Sequence, residues 1–307
     1  MTTGPDPVAA LRTTAAGVLV VDKPDGWTSH QVVGRVRRIL GTRKVGHAGT
    51  LDPMATGVLV VGVNRATRLL GHFAAGRKSY AATIRLGADT VTDDADGEPT
   101  RTPGAGSATA ADVAAQLLGF VGAIAQRPSA VSAIKVDGVR SYARVRAGEQ
   151  VELPERQVTV HAYALGDVRP VEVDGIALLD CDVTVDCSAG TYIRALARDL
   201  GERLGTGGHL TALRRTAVEP FTLDDAVTLD ALAEHPTMID IDTVARRCFT
   251  ALDLDVEQAA HVRFGRALPG LTLPADLGAL FDPDGGFLAL YRADGDRAVP
   301  VSVFVGS

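Results

Sequence analysis

Apolar residues recur along this chain in two periods, and the switches between them mark its elements. Residues 17-GVLVVDKP-24 form a nearly continuous apolar run closed by proline, which reads as a strand. Thr28 or Ser29 then caps a segment in which Val32, Val33, Val36, Ile39 and Leu40 fall on one helical face, and Gly41 ends it. The run 57-GVLVVGV-63 predicts a second strand, 65–74 a helical piece, and 80-YAATIRL-86 an alternating strand. Residues 88–109, rich in Asp, Thr, Pro, Gly and Ala, read as loop, and 110–120 as helix. Two long strand candidates fill 157–187, where 178-LLDCDVTVDC-187 alternates well enough to bury one face. Gly190 opens a helix through 204, and 209–218 reads as a strand. An acidic helical connection over 224–245 leads to short strands with Gly/Pro turns, including 286-GFLALYRA-293 and 299-VPVSVFV-305.

Strands outnumber helices, and helices do not separate them regularly. That pattern predicts an α+β protein with a large, mostly antiparallel or mixed sheet rather than a doubly wound one. The 307 residues divide by pattern into a flexible tail (1–16), a main domain (17–245) and a small β-rich domain (246–307). No apolar run reaches the roughly 18 residues that span a bilayer, and the first sixteen residues lack the apolar core of a signal peptide. Cys181, Cys187 and Cys248 form no CxxC pair, so reduced thiols and a cytoplasmic location are expected. No membrane association is expected.

The net charge of −6 argues mildly against a nucleic-acid partner, but its distribution matters more. Residues 1–219 carry 25 Lys+Arg against 23 Asp+Glu, a balance of +2, whereas 220–307 carry 6 against 14, a balance of −8. The segment 35-RVRRILGTRK-44 concentrates Arg35, Arg37, Arg38, Arg43 and Lys44, and Arg194, Arg198, Arg203, Arg214 and Arg215 follow later. Local basic patches are what phosphate contacts need, although a charge run can equally be a solvated helix face.

The candidate chemistry lies in 46-GHAGTLDPMATGVL-59, where a Gly-rich turn sets one acid, Asp52, before a proline and runs into an apolar strand. Pro53 fixes its own φ and keeps Asp52 out of the α region. A carboxylate so constrained is either a structural cap or a catalytic group. The loop lacks both the P-loop and the dinucleotide spacing. The acidic 93-DDADGE-98 matches a calcium loop only at Asp94, Asp96 and Gly97, without the later glutamate, and no metal site is expected.

The Asp52 loop does not stand alone. Upstream is 20-VVDKPDGWTSHQVV-33, and downstream come 78-KSYAATIRLG-87, 126-QRPSAVSAIKVDGVRSYARVRAG-148, 188-SAGTYIRALARDLG-201 and 209-HLTALRRTAV-218. Together, in order and spacing, these six motifs resemble the bacterial tRNA pseudouridine synthase B family over roughly residues 17 to 230. The resemblance implies a pseudouridine synthase-like catalytic domain, a PUA-like RNA-binding domain at the C-terminus, no cofactor and no protein partner. It implies isomerisation of the T-loop uridine of tRNA, position 55, to pseudouridine: the N1–C1′ bond breaks, the uracil turns, and it rejoins through C5.

In that family one carboxylate starts the reaction, by attack at C1′ or C6 or by removing the 2′ proton, and the resemblance assigns this role to Asp52. It makes Arg194 the partner of that carboxylate. Tyr80 stacks on the base and takes part in the final deprotonation, Tyr192 lies against the substrate, Leu213 lines the uracil pocket, and His47 supports the flipped nucleotide. Lys23 matches the first motif in a structural part. Without the resemblance, each of the two tyrosines and the leucine is equally a core residue. Two rivals remain open: a tRNA-folding chaperone in which catalysis is secondary, and a hydrolase using Asp52 with His47, which lacks a visible nucleophile.

Overall fold

The computed structural model describes residues 14–106, 108–129, the backbone of 135–136 and 139–140, and 153–305. The expected tail falls almost wholly outside these residues, as does most of the 126–148 motif.

The first two elements form as their pattern requires. The strand Gly17–Lys23 leads into the helix Ser29–Leu40, where Thr28 accepts from the Gln31 N–H and the Gln31 side chain accepts from the Thr28 N–H. This reciprocal cap satisfies two otherwise orphaned donors. Gly41, in the left-handed conformation, ends the helix, and Val32, Val33, Val36 and Leu40 bury its apolar face.

The main sheet has ten strands. Its path runs Ile239–Asp240, Gly17–Lys23, Thr56–Val63, Gly208–Val218, Lys78–Leu86, Ile176–Cys187, Arg156–Val173 and Gly122–Gln126. Val45–Ala48 and Phe221–Thr222 pair off this path. Neighbours are antiparallel except where Arg214 and Arg215 lie parallel to Thr56 and Gly57. Gly57 has φ +96°, and a Cβ there would stand 2.2 Å from the Arg215 carbonyl oxygen, so only glycine lets the two backbones meet. The sheet is thus mixed, as expected. Asp174 and Gly175, both at positive φ, join the two longest strands in a two-residue hairpin turn.

On one face, the helices Ala110–Leu118 and Ile193–Leu204 cover Tyr80, Ala82, Ile84, Val183, Val185 and Leu213. Predicted boundaries moved by a few residues. Residues 65–74 divide into a 3₁₀ turn, Asn64–Leu69, and a short helix, Leu70–Ala75. The 88–109 loop holds two short strands, Asp89–Thr90 and Pro99–Arg101. The strands Val45–Ala48 and Gly122–Gln126 were not evident, being short and rich in Gly and Ala.

Five strands form a second sheet in the order Thr250–Asp253, Leu277–Phe281, Phe287–Asp294, Arg297–Val303, Leu268–Pro269. This is the expected β-rich C-terminal part, but it shares a core with the main sheet. Phe281, Phe287, Leu290 and Phe304 pack in one cluster with Val18, Val58, Phe73, Val218 and Phe221. Asp242 accepts the Phe287 N–H at 2.7 Å, and Arg65 donates to the Phe304 carbonyl.

Candidate active site

The turn carrying Asp52 is fixed from three sides. Lys23, fully buried, donates from Nζ to the carbonyls of Pro24 (2.9 Å), Trp27 (2.6 Å) and Pro53 (3.0 Å). Burial pushes its pKa down to about 8. Ser29 accepts the Leu51 N–H at 2.9 Å and returns a hydrogen bond to the Leu51 carbonyl at 3.2 Å. Arg215, 1% exposed, donates to the carbonyls of Val58 (2.8 Å), Gly49 (3.1 Å) and Thr50 (3.4 Å). The expected structural part for Lys23 is therefore a specific one: its ammonium grips the carbonyl one residue beyond Asp52.

Asp52 emerges from this turn with its side chain 38% exposed, and the almost fully buried Arg194 donates to it from Nε at 3.0 Å. Arg194 is itself held by the Thr92 carbonyl at 2.7 Å and by Asp94 at 3.4 Å. Asp94 is buried, and that burial raises its pKa, while bonds from Thr92 and the Asp96 N–H and the charge of Arg194 act the other way. The acidic loop that resembled a calcium site is thus the seat of a buried acid facing the arginine. Among the described residues, no cluster of three His, Cys, Asp or Glu could hold a metal.

A cavity of about 280 Å³ opens beside Asp52. Asp52, Tyr80, Tyr192, Arg194 and Leu213 all line it, so five residues scattered over 162 positions share one site. Tyr80 is buried, which raises the pKa of its phenol, and Arg215 acts against that shift. Lys78, Thr191 and Arg215 also line the cavity without having been given a site role from the sequence, where Arg215 was read only as one of a later group of arginines. Strand alternation could have found two of them. Lys78 stands two residues before Tyr80 and Arg215 two after Leu213, each on the same face of its strand. Lys78 donates to the carbonyls of Ala74 (2.8 Å) and Gly76 (2.9 Å), and burial lowers its pKa to about 8.

His47 does not line this cavity. It lies on the strand Val45–Ala48, opposite Val61, with its ring edge-on to exposed His30 at 5.6 Å. Burial, His30 and Arg215 all lower its pKa, so its ring is neutral more readily than a free histidine. Of the basic segment, Arg37, Arg38, Arg43 and Lys44 are exposed and Arg35 half-buried, and none forms an ion pair with another described residue. Arg37 also donates to the Val45 carbonyl at 2.8 Å, closing its helix onto the next strand. The later arginines are not a surface patch. Arg198 pairs with Asp93 and Asp199, Arg214 with Asp22, Arg203 stacks on Phe120 at 3.7 Å, and Arg194 and Arg215 are buried.

Comparison with known proteins places the chain in a family. Residues 37–193 match the N-terminal domain of the TruB family pseudouridylate synthases, 194–254 the C-terminal domain of tRNA pseudouridylate synthase B, and 249–305 the C-terminal domain of tRNA pseudouridine synthase II. The chain belongs to the TruB family of pseudouridylate synthases. It is 53% identical over 300 residues to tRNA pseudouridine synthase B of Arthrobacter sp. (strain FB24), covering 95% of this chain and 97% of that one. It is 55% identical over 288 residues to the protein of that name from Nocardia farcinica (strain IFM 10152), covering 94% and 92%. Among solved structures, a chain of a Cbf5-Nop10-Gar1 complex superposes with TM-score 0.69 at 26% identity, over 99% of this chain and 91% of that one. Another, from an H/ACA RNP bound to a substrate RNA containing 2′-deoxyuridine, gives 0.67 at 25%, over 94% and 85%.

Proposed function

We propose that this protein converts the T-loop uridine of tRNA, position 55, to pseudouridine, with Asp52 as its catalytic carboxylate. One observation carries the reading: Asp52 is the acid that lines the cavity, and a buried arginine aims it. The isomerisation asks for one group able to attack C1′ or C6 or to take the 2′ proton, and each route begins with this carboxylate. Arg194 holds the Oδ2 oxygen and leaves Oδ1 to the reacting ring. Tyr80, its phenol kept protonated by burial, forms a flat wall suited to stacking on a uracil, and Leu213 supplies an apolar contact.

A base inside a folded tRNA loop must leave its stack to enter, at a cost of a few kcal/mol. The aromatic walls Tyr80 and Tyr192 offset that cost. His47, outside the cavity beside exposed His30, supports the extruded strand rather than the reacting base. Arg35, Arg37, Arg38, Arg43 and Lys44 supply phosphate contacts to the T arm, as cations on one segment without ion-pair partners among the described residues. The working division is a catalytic domain over 17–245 and a small domain from 246, in a cytoplasmic protein. No helix among the described residues is long and apolar enough to cross a membrane.

The test is release of tritium from tRNA labelled at uracil C5. Isomerisation exchanges that hydrogen with water, so wild-type protein should release tritium from unmodified tRNA, and changing U55 to C should abolish it. A folding chaperone or a hydrolase would release none from intact tRNA.

A further inference from the structure

Tyr192 is gripped by two residues that are partners across a pair of strands. Gln126 ends the strand Gly122–Gln126 and is fully buried. Its Nε2 donates to the Tyr192 carbonyl at 3.0 Å, and its Oε1 accepts the Tyr192 N–H at 2.8 Å. Opposite Gln126 in register stands Arg156, whose guanidinium carbon lies 5.4 Å from the centre of the Tyr192 ring. One partner therefore holds the backbone of Tyr192 and the other its ring.

A side-chain amide can satisfy a backbone N–H and a backbone C=O of the same residue at once, through separate acceptor and donor atoms, and the two contacts together fix which way it points. Tyr192 is also where the helix Ile193–Leu204 begins, and no side chain of its own caps that start. The Tyr192 carbonyl accepts the Leu196 N–H at 3.2 Å, so Gln126 holds the first turn of the helix that carries Arg194. The line of contact runs from Gln126 through Tyr192, which lines the cavity, to Arg194 and on to Asp52.

We propose that Gln126 is a positioning residue for the reaction: its amide sets Tyr192 and the first turn of the following helix against Asp52. The proposal rests on reading the cavity as a uridine isomerase site. Gln126 touches no reacting atom, and its effect is on geometry.

The test uses the full chain with Gln126→Ala and Gln126→Glu, compared with wild type by thermal melting, single-turnover tritium release and hydrogen exchange of the Tyr192 amide. Folded Gln126→Ala should turn over about 10- to 100-fold more slowly at saturating tRNA, with KM changed little, because a misplacement on the order of 1 Å is enough for such a loss. An ionised glutamate accepts the Tyr192 N–H but sets its second oxygen against the carbonyl, whereas a protonated one restores the donor. A buried glutamate has a raised pKa, so the rate of Gln126→Glu relative to wild type should climb as pH falls from about 8.5 to 6. A plain structural tie would give no such pH-dependent ratio.

A wild-type rate in folded Gln126→Ala, or a flat Gln126→Glu ratio, overturns the proposal. If Gln126→Ala does not fold, the Gln126→Glu ratio decides. If wild-type protein itself releases no tritium, the isomerase reading fails. The exchange measurement then judges the positioning claim: faster Tyr192 exchange at unchanged melting supports it, and unchanged exchange overturns it.

Discussion

Arg194 donates to Asp52 across 3.0 Å while only 4% of its own side chain meets solvent. The carboxylate belongs to a turn and the guanidinium to a helix 142 residues later in the chain, so their meeting is a product of the fold. Arg194 is buried and anchored at a second point, on the Thr92 carbonyl, so it serves as the fixed reference and Asp52 as the accessible group.

Replacing Asp52 by Asn should abolish turnover and leave tRNA affinity largely intact. The change removes the ionised group and keeps the shape, and losing a negative charge near phosphates does not weaken RNA binding. Single-turnover rates and a filter-binding titration would check this. Residual activity above a few per cent would remove Asp52 from its role.

Arg194→Lys should lower kcat by about 100-fold or more, although the charge is kept. A lysine is a point donor on a flexible stem and cannot reach Asp52, Asp94 and the Thr92 carbonyl with one planar fork. Buried Asp94 would then lose part of its compensation, and stability should fall by up to about 3 kcal/mol, the lower end of what complete loss of a buried partner costs, since the charge is kept. Denaturant melts and single-turnover kinetics on the same preparation would separate the two effects.

Much of this was legible because the relevant residues sit in continuous motifs. The Asp52 turn, the Tyr80 strand and the first turn with Tyr192 and Arg194 each carry a local signal of proline, alternation or glycine, but the roles of Tyr80, Tyr192 and Arg194 came only from the family resemblance. Lys78 was missed and Arg215 was read only as part of a basic group, although the same alternation puts them beside Tyr80 and Leu213, because charged residues in strands read as solvent-facing. Their burial becomes intelligible only with the backbone carbonyls that surround them. Asp94 was hidden differently: an acidic loop shows no sign of its arginine until the sheet brings residue 194 to it. The shared core under Phe281, Phe287 and Phe304 was equally invisible, since a small β-rich segment at a chain end has the pattern of a separable unit.

That shared core bears on how the tail can be studied. Deleting residues 246–307 would uncover Val218 and Phe221 on the main sheet and Phe73 on the helix Leu70–Ala75. The truncated chain should melt at a much lower temperature, or fail to fold, rather than lose RNA contacts alone. A truncation with unchanged Tm and soluble expression would show that the cluster contributes little.

Lys23 makes a pH prediction with a definite sign. In the unfolded chain a lysine keeps its proton to about 10.4, whereas burial brings the folded value down to about 8. Between these values the unfolded state binds more protons, so stability rises with pH across that window. The charges of Asp25 and Asp52 act against burial without reversing the shift. Lys23→Met should be destabilised by about 1–3 kcal/mol at neutral pH, since the carbonyls lose their donor. The gap to wild type should widen from pH 7.5 to 9.5, as measured by urea melts of both proteins. A gap that stays constant or narrows would contradict the linkage.

The phosphate contacts can be located without cutting the chain. The segment with Arg37, Arg38 and Arg43 exposes cations without ion-pair partners among the described residues, whereas Arg246, Arg247, Arg263 and Arg297 in the tail are each paired with an aspartate. Each phosphate contact contributes about 0.7–0.9 to the slope of log affinity against log salt. Replacing Arg37, Arg38 and Arg43 together by Gln should therefore flatten the slope by about 2–3. Arg37 also closes its helix on Val45, so melting should show a small loss from that position alone. The matched control replaces Arg263 and Arg297, which should leave the slope within error of wild type. A loss of slope in the control would place phosphate contacts on the C-terminal part, and an unchanged slope in the triple variant would remove the 35–44 segment from the RNA interface.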